Sequence, residues 1–295
     1  LWRTHPQPFR AEGGGRPVTA TAGSAREERK AGARWRLAMS NTTLLTVLTG
    51  IGIIAFWQAV VMIFRLPRIV LPPPADVAVS LFQSLSTGRF YMHVGVTLFE
   101  ALTGFIIGTV LAFALGIAIS LLPKLQRTFY PYIVAFETLP KISIAPIVLI
   151  WFGYGLTSKV VLTALMSFFP VLANTIAGMA ATPPEQRDLF VAFTANRWQL
   201  FWKLNLPNAL PFIFVGINLS ALLSVIGAIV GEFVGSKSGL GFLMLQRNFD
   251  LDMPGMFAIL IVLSAIGIVF HLLIQYARRR LLFWLQPADE RIISA

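Results

Sequence analysis

Cysteine is absent, so no disulfide, thiolate metal site or cysteine nucleophile can be built from this chain. The three histidines, His5, His93 and His271, stand far apart and without metal-ligand spacing. Charge is scarce too: 13% of residues are Asp, Glu, Lys or Arg, and only 13 are acidic against 24 basic. An enzyme site built from the usual nucleophiles and bases has little to draw on. No glycine-rich lysine loop of the phosphate-cradling kind occurs, which excludes nucleotide binding by that means, and no cofactor is implied. The GxG at Gly239–Gly241 lacks a strand-to-helix setting and reads as a tight external turn.

What the 295 residues do have is apolar surface: 56% are hydrophobic, with a mean hydropathy of +0.73. Several windows exceed the roughly 18 apolar residues that mark a membrane span. The formal net charge of +11 then needs no nucleic-acid partner, because cytoplasmic loops of membrane proteins collect Lys and Arg. The pattern predicts an all-α, polytopic protein with six transmembrane helices, near 44–64, 93–122, 129–152, 158–180, 208–234 and 254–278. Pro131, Pro140 and Pro146 interrupt the third. Gly104 and Gly108 in the second have the small-xxx-small spacing that lets helices approach closely. Phe56, Trp57 and Trp151 near span ends read as interfacial anchors in contact with lipid.

Around this membrane domain of 44–285, residues 1–43 are rich in Arg, Gly, Ala and Pro and read as a disordered basic segment. Met39, just before the first apolar run, reads as the natural start, with an Arg-rich targeting or polybasic tail as the rival. Residues 286–295 form a short tail. The prolines of LPPPADV (71–77) force extended backbone, and Asp76 is placed to cap a short helix over 77–86. The loop 235–252 reads as holding a short half-buried helix. An even number of spans puts both termini on one side. That side holds Lys124, Arg127, Arg187, Arg197, Lys203 and Arg278 to Arg280; the other holds Arg65, Arg68, Arg89, Lys237, Arg247 and Lys159. The bias predicts cytoplasmic termini.

The stretch from Asp188 to Pro207, within a polar loop at 182–207, lies between two strongly apolar segments. Arg187, Asp188, Arg197 and Lys203 alternate there with Phe190, Phe193, Trp198, Phe201 and Trp202 at mixed three- and four-residue steps, so most of it reads as amphipathic helix ending at Pro207. Exposed between spans, such an element is a docking surface, with Phe190 and Phe193 buried in the contact and Arg187, Asp188 and Arg197 fixing register. The bland alternative is an interfacial helix resting among headgroups.

Inside the spans, Glu137 and Lys141 stand four residues apart in the favourable order and are expected to pair, facing protein or a water-filled path. They are either gate residues or a structural pair, and Glu100 and Glu232 divide the same way. Asn174, Asn218, Ser220 and Ser224 either line a polar route or hydrogen-bond across helix interfaces. His271 reads as a satisfied interface histidine.

Four fragments, taken together and in order, resemble inner-membrane permease subunits of binding-protein-dependent ABC importers of the nitrate, taurine, alkanesulfonate and thiamine-pyrimidine-precursor branch. They are LPPPADV at 71–77, ETLPKISIAPIVLIWFGYGLTSK at 137–159, RWQLFWKLNLPNALPFIFVGI at 197–217 and GEFVGSKSGLGFLM at 231–244. The resemblance implies a type I importer-like permease in a bacterial inner membrane, working as a homodimer with separate cytoplasmic ATPase subunits and an external substrate-binding protein. That binding protein would dock near 65–90 and 235–252. It also implies that the loop carries the family's EAA-type coupling motif. Anchored on Leu206-Pro207, this chain has Asp188, Leu189 and Phe190 in place of Glu-Ala-Ala, and Thr194 where the motif has Gly. The competing function is an ion-coupled secondary carrier using Glu137 and Lys141 as a charge relay, and a membrane scaffold is a third; paired broken helices in internal repeats would mark the carrier.

Overall fold

The computed structural model describes residues 44–284. The expectations for the first 43 residues, for Met39 and for the tail at 286–295 lie outside them. The chain divides into two units, with the boundary between Ile63 and Phe64. The first contributes one described helix, α1 (Leu44–Ile63), a continuous apolar run long enough to cross a bilayer.

The second unit is helical throughout its regular structure. It comprises α2 (Pro74–Leu85), α3 (Gly88–Ser120), α4 (Pro123–Thr138), a 3₁₀ turn (Lys141–Ile144), α5 (Ala145–Phe152) and α6 (Leu156–Ala180). Then come α7 (Pro184–Ala192), α8 (Arg197–Leu200), a π turn (Phe201–Asn205), α9 (Leu206–Gly235), α10 (Leu240–Phe249) and α11 (Met253–Leu281). Five described helical stretches, α1 among them, are long and apolar enough to span; α4 and the 141–152 segment make a sixth only as a pair bent by 84°. Pro140 explains the bend. Its ring pushes the preceding residue out of the helical region, and Leu139 is extended (φ −63°, ψ 138°).

Small residues set the packing order. A Cβ added at Gly116 would lie 2.8 Å from Thr175 and one at Gly104 would overlap Thr163, so α3 and α6 run parallel in close contact. A Cβ at Gly178 would meet the Ala209 carbonyl at 2.8 Å, and one at Gly227 would lie 2.9 Å from Thr163 Cα, so α9 runs antiparallel to α6. The Gly104–Gly108 expectation is met at this seam. α11 closes over α9, with Ile259, Leu263, Ile266 and Phe270 against Ala221, Val225 and Ala228. This order puts the 182–205 segment at one end of the bundle and the 235–241 turn at the other. They are separated by the 30 residues of α9, about 45 Å at 1.5 Å per residue.

Candidate functional site

The 184–207 segment, most of which reads from the sequence as amphipathic helix, is two helices joined by a turn. α7 ends in a Schellman arrangement: the Ala195 N–H donates to the Phe190 carbonyl at 3.0 Å and the Thr194 N–H to the Val191 carbonyl at 2.9 Å. That geometry needs a left-handed residue, and Thr194 supplies it at φ 57°. The turn therefore explains why a motif glycine would suit this position, and it places a β-branched residue in a region that costs it free energy. Asn196 and Gln199 then form a reciprocal capping box at 2.8 and 2.9 Å, which starts α8.

Pro207 does not end the second helix. The Leu206 N–H donates five residues back, to the Phe201 carbonyl, and this widened turn lets the helix run through the proline into α9. Phe201 and Leu204 are buried; Phe201 joins Met179, Ala209 and Ile213, anchoring the second helix of the pair to α6 and α9. The Asn208 side chain adds a 3.0 Å hydrogen bond to Gln186 across the hairpin. The outer face stays largely open: Phe193 is 77% and Trp198 68% exposed, and Leu189, Val191 and Trp202 are exposed with them, although Trp198 and Trp202 each meet the Phe201 ring edge-on. Arg187, Asp188 and Arg197 are exposed on the same hairpin, while Phe190 is half-buried.

At the far end of α9 the chemistry reverses. Glu232 and Glu100 are each 1% exposed and Lys159 7%. The Thr97 hydroxyl donates to Glu232 Oε1 at 2.6 Å and accepts from the Leu240 N–H at 2.8 Å. The Gly241 N–H donates to Glu232 Oε2, so a carboxylate and a hydroxyl together cap the N-terminus of α10, where negative charge is favoured. His93 Nδ1 accepts from the Gly239 N–H at 3.0 Å. Gly239 has φ 108°, and a Cβ there would overlap the Glu232 carboxylate. The external turn expected at Gly239–Gly241 is thus the lid of a buried polar clamp. Beside it, Lys159 Nζ pairs with Glu100 Oε1 at 3.0 Å and donates to Ser236 Oγ at 2.6 Å. Glu100 and Glu232 thus belong to one buried polar cluster, in which the two carboxyls interact.

The other expected site residues fall elsewhere. Lys141 does not pair with the Glu137 carboxylate. Its ammonium donates to the Glu137 main-chain carbonyl at 2.7 Å and sits 5.5 Å from the Phe169 ring centre, because Pro140 breaks the helix that would have aligned the two side chains. Asn174 folds back on its own helix, donating to the Pro170 carbonyl at 2.8 Å, and the buried Ser224 donates to the Ala221 carbonyl at 2.7 Å. Asn218 meets His271 across α9 and α11 at 2.8 Å, the satisfied interface histidine of the sequence reading. Asp76 does not cap α2; it pairs with Arg68 at 3.0 Å. Lys159 and Thr97 were missed as site residues. The available signal was arithmetic: an acid at Glu100 deep in an apolar helix requires a cation, and few lysines lie near the spans.

Two cavities flank the clamp end. One of about 670 Å³ is lined by Arg68, Asp76, Arg89, His93, Arg247 and Asp252, so the 65–90 and 235–252 segments converge on it. The other, of about 890 Å³, is walled by Met92, Phe99, Glu100, Tyr154, Lys159 and Lys237.

Residues 104–283 match the family model described as "Binding-protein-dependent transport system inner membrane component". Among curated proteins, the chain is 38% identical over 218 residues to a formylaminopyrimidine transport permease protein of Halalkalibacterium halodurans, covering 72% of this chain and 85% of that one. It is 36% identical over 232 residues to a riboflavin transport system permease protein of Chloroflexus aurantiacus, covering 79% and 87%. Among solved structures, a chain of the MetNI methionine ABC transporter in an inward-facing conformation is similar in fold, with a TM-score of 0.56 and 21% identity over 67% of this chain and 96% of that one.

Proposed function

We propose a function from one premise: the chain belongs to the binding-protein-dependent transport system inner membrane component family. It is accordingly a multi-pass inner-membrane protein, the permease of an ABC importer whose ATP hydrolysis lies on a separate subunit. In our reading the 184–207 hairpin is the surface that the ATPase subunit grips. The observation that carries this is the pairing of a rigid base with an unfinished face: Phe201 is buried against α6 and α9, while Phe193 and Trp198 on the same hairpin remain largely exposed. A partner pushing on that face moves α9 as a rigid body. Lys124, Arg127, Arg187, Arg197, Lys203 and Arg278 to Arg280 fall by topology at the hairpin end, which supports placing that end and both termini in the cytoplasm.

The opposite end then faces outward, and the cavity where 65–90 meets 235–252 is the docking face for the substrate-binding protein. The permease works as a homodimer, enclosing the path between two copies. Its substrate is a small nitrogen heterocycle rather than a sulfonate or nitrate; support comes from two relatives above 35% identity, whose names carry a pyrimidine and a flavin. The carrier reading loses its relay, since Lys141 rests on a main-chain carbonyl of Glu137.

Co-expression with the ATPase subunit, followed by purification in mild detergent, tests the coupling. Wild type is expected to retain the ATPase and Phe193→Asp to lose it. Wild type that holds no ATPase, together with uptake that collapses under an ionophore, would overturn the reading in favour of ion coupling.

A further inference from the structure

Beside the clamp lies an acceptor that the chain leaves incomplete. Glu100 Oε1 is paired with Lys159, but Glu100 Oε2 is closed to water and receives no N–H or hydroxyl donor among the described residues. The cluster sets two carboxyls, Glu100 and Glu232, against one buried ammonium. The donor for Glu100 Oε2 is either a proton shared with Glu232 or a group from outside the chain, because leaving a buried carboxylate oxygen without one is expensive. Glu100 also walls the cavity of about 890 Å³, where Phe99 and the 82% exposed Tyr154 present aromatic faces, Met92 adds a flexible apolar wall, and Lys237 stands at the rim. The Tyr154 ring rests against the end of α9 at Gly235, where an added Cβ would lie 2.6 Å from it.

We propose that this cavity is a transmembrane subsite for the transported solute, which is a planar nitrogen ring whose N–H donor completes Glu100 while its face stacks on Tyr154. The proposal rests on the permease reading and gives its substrate class a chemical reason. Glu100 lines the cavity, and a turn about its broad terminal torsion that keeps Oε1 on Lys159 would offer Oε2 to a bound solute. Sulfonate and nitrate groups bring only acceptors, and would set oxygen against oxygen at Glu100. An aminopyrimidine or flavin edge brings N–H groups. Lys159 is the positioning residue here: paired with Glu100 and Ser236, it fixes the carboxylate and leaves one oxygen over.

The test is equilibrium binding to the permease–ATPase complex in nanodiscs, with two radiolabelled probes. One is formylaminopyrimidine and the other the same ring with its amino group replaced by methyl. Wild type should favour the amino probe by about tenfold to a hundredfold, the worth of one hydrogen bond to a charged acceptor. Replacing the buried pair together, Glu100→Met with Lys159→Met, removes the acceptor without stranding a charge and should bring the ratio close to one. Tyr154→Ala, at an exposed position, should weaken both probes about tenfold and keep their ratio. A purely structural pair would shift both probes alike and leave the ratio intact in the double variant; that result would overturn the subsite and assign the spare oxygen to a proton shared with Glu232. Wild type that binds neither ring, while its ATPase still co-purifies, would sink the subsite and the heterocycle class but leave the permease reading standing.

Discussion

The two ends of α9 meet one backbone demand in opposite ways. Each carries a turn that needs a left-handed residue: Gly239 at φ 108° beside the clamp and Thr194 at φ 57° in the hairpin. At the clamp end glycine is the only fit, because a side chain would strike the Glu232 carboxylate, and nearly every polar group there is consumed inside the chain. At the hairpin end the strain is borne by a threonine, and Phe193, Trp198 and Trp202 remain largely exposed. Apart from Glu100 Oε2, the first region draws its hydrogen bonds from its own sequence. The second is built to be finished by something else, as a surface that transmits force to a rigid helix must be.

Removing a clamp charge should break that contrast most severely. Lys159→Met strands the buried Glu100 carboxylate, and the loss of one partner of a buried pair costs about 3–5 kcal/mol. The variant should melt well below wild type in fluorescence-detected size-exclusion assays, and adding Glu100→Met should restore most of the loss. If the single variant melts like wild type, the clamp is not a closed, desolvated unit.

Gly239→Ala comes next. It forces a side chain into a backbone region populated almost only by glycine and onto the Glu232 carboxylate, a cost of order 3 kcal/mol. Release of the α10 N-terminus should accompany it, seen as faster amide exchange at Leu240 and Gly241. Unchanged exchange there would mean that the turn does not depend on Glu232.

Phe193→Asp sharpens the comparison from the other side. Because Phe193 is largely exposed, stability should stay within about 0.5 kcal/mol of wild type. Affinity for the ATPase should nonetheless fall by about 2 kcal/mol or more, the cost of truncating an aromatic anchor at an interface. A variant that unfolds instead would place Phe193 in the core of the fold rather than on a docking face.

How much of this was legible beforehand depends on whether a feature is local in the chain. Apolar length marked the spans, and three prolines marked the broken one, since Pro140 acts on its immediate neighbour Leu139. The Glu137–Lys141 spacing misled because the same proline destroys the helical register that gives four-residue spacing its meaning. The Schellman turn was invisible because its usual glycine is missing, so amphipathic periodicity ran straight across it. The continuation through Pro207 was hidden for a similar reason: a π turn leaves no composition signal. Glu100 and Lys159, 59 positions apart, meet only because α3 and α6 run parallel along a glycine seam, and no window of sequence holds both.

The smallest predicted effect is the most specific to the hairpin. Thr194→Gly removes the strain of a β-branched residue in the left-handed region, worth about 1–2 kcal/mol. The added freedom of the unfolded chain offsets about 0.4–1 kcal/mol of it. The net gain should be about 0.5–1 kcal/mol. Thr194→Asn, which tolerates the same backbone without the added entropy, should gain at least as much. Amide exchange at Thr194 and Ala195 reads this directly, because those two N–H groups close the Schellman turn, and in both variants they should exchange more slowly. ATPase capture should survive both changes, since neither touches Phe193 or Trp198. If both variants instead loosened the turn, the left-handed conformation would not belong to the hairpin at rest. The segment would then have to acquire its shape from the partner rather than offer it ready-made, and the contrast between the two ends of α9 would become one between a preformed clamp and an induced contact.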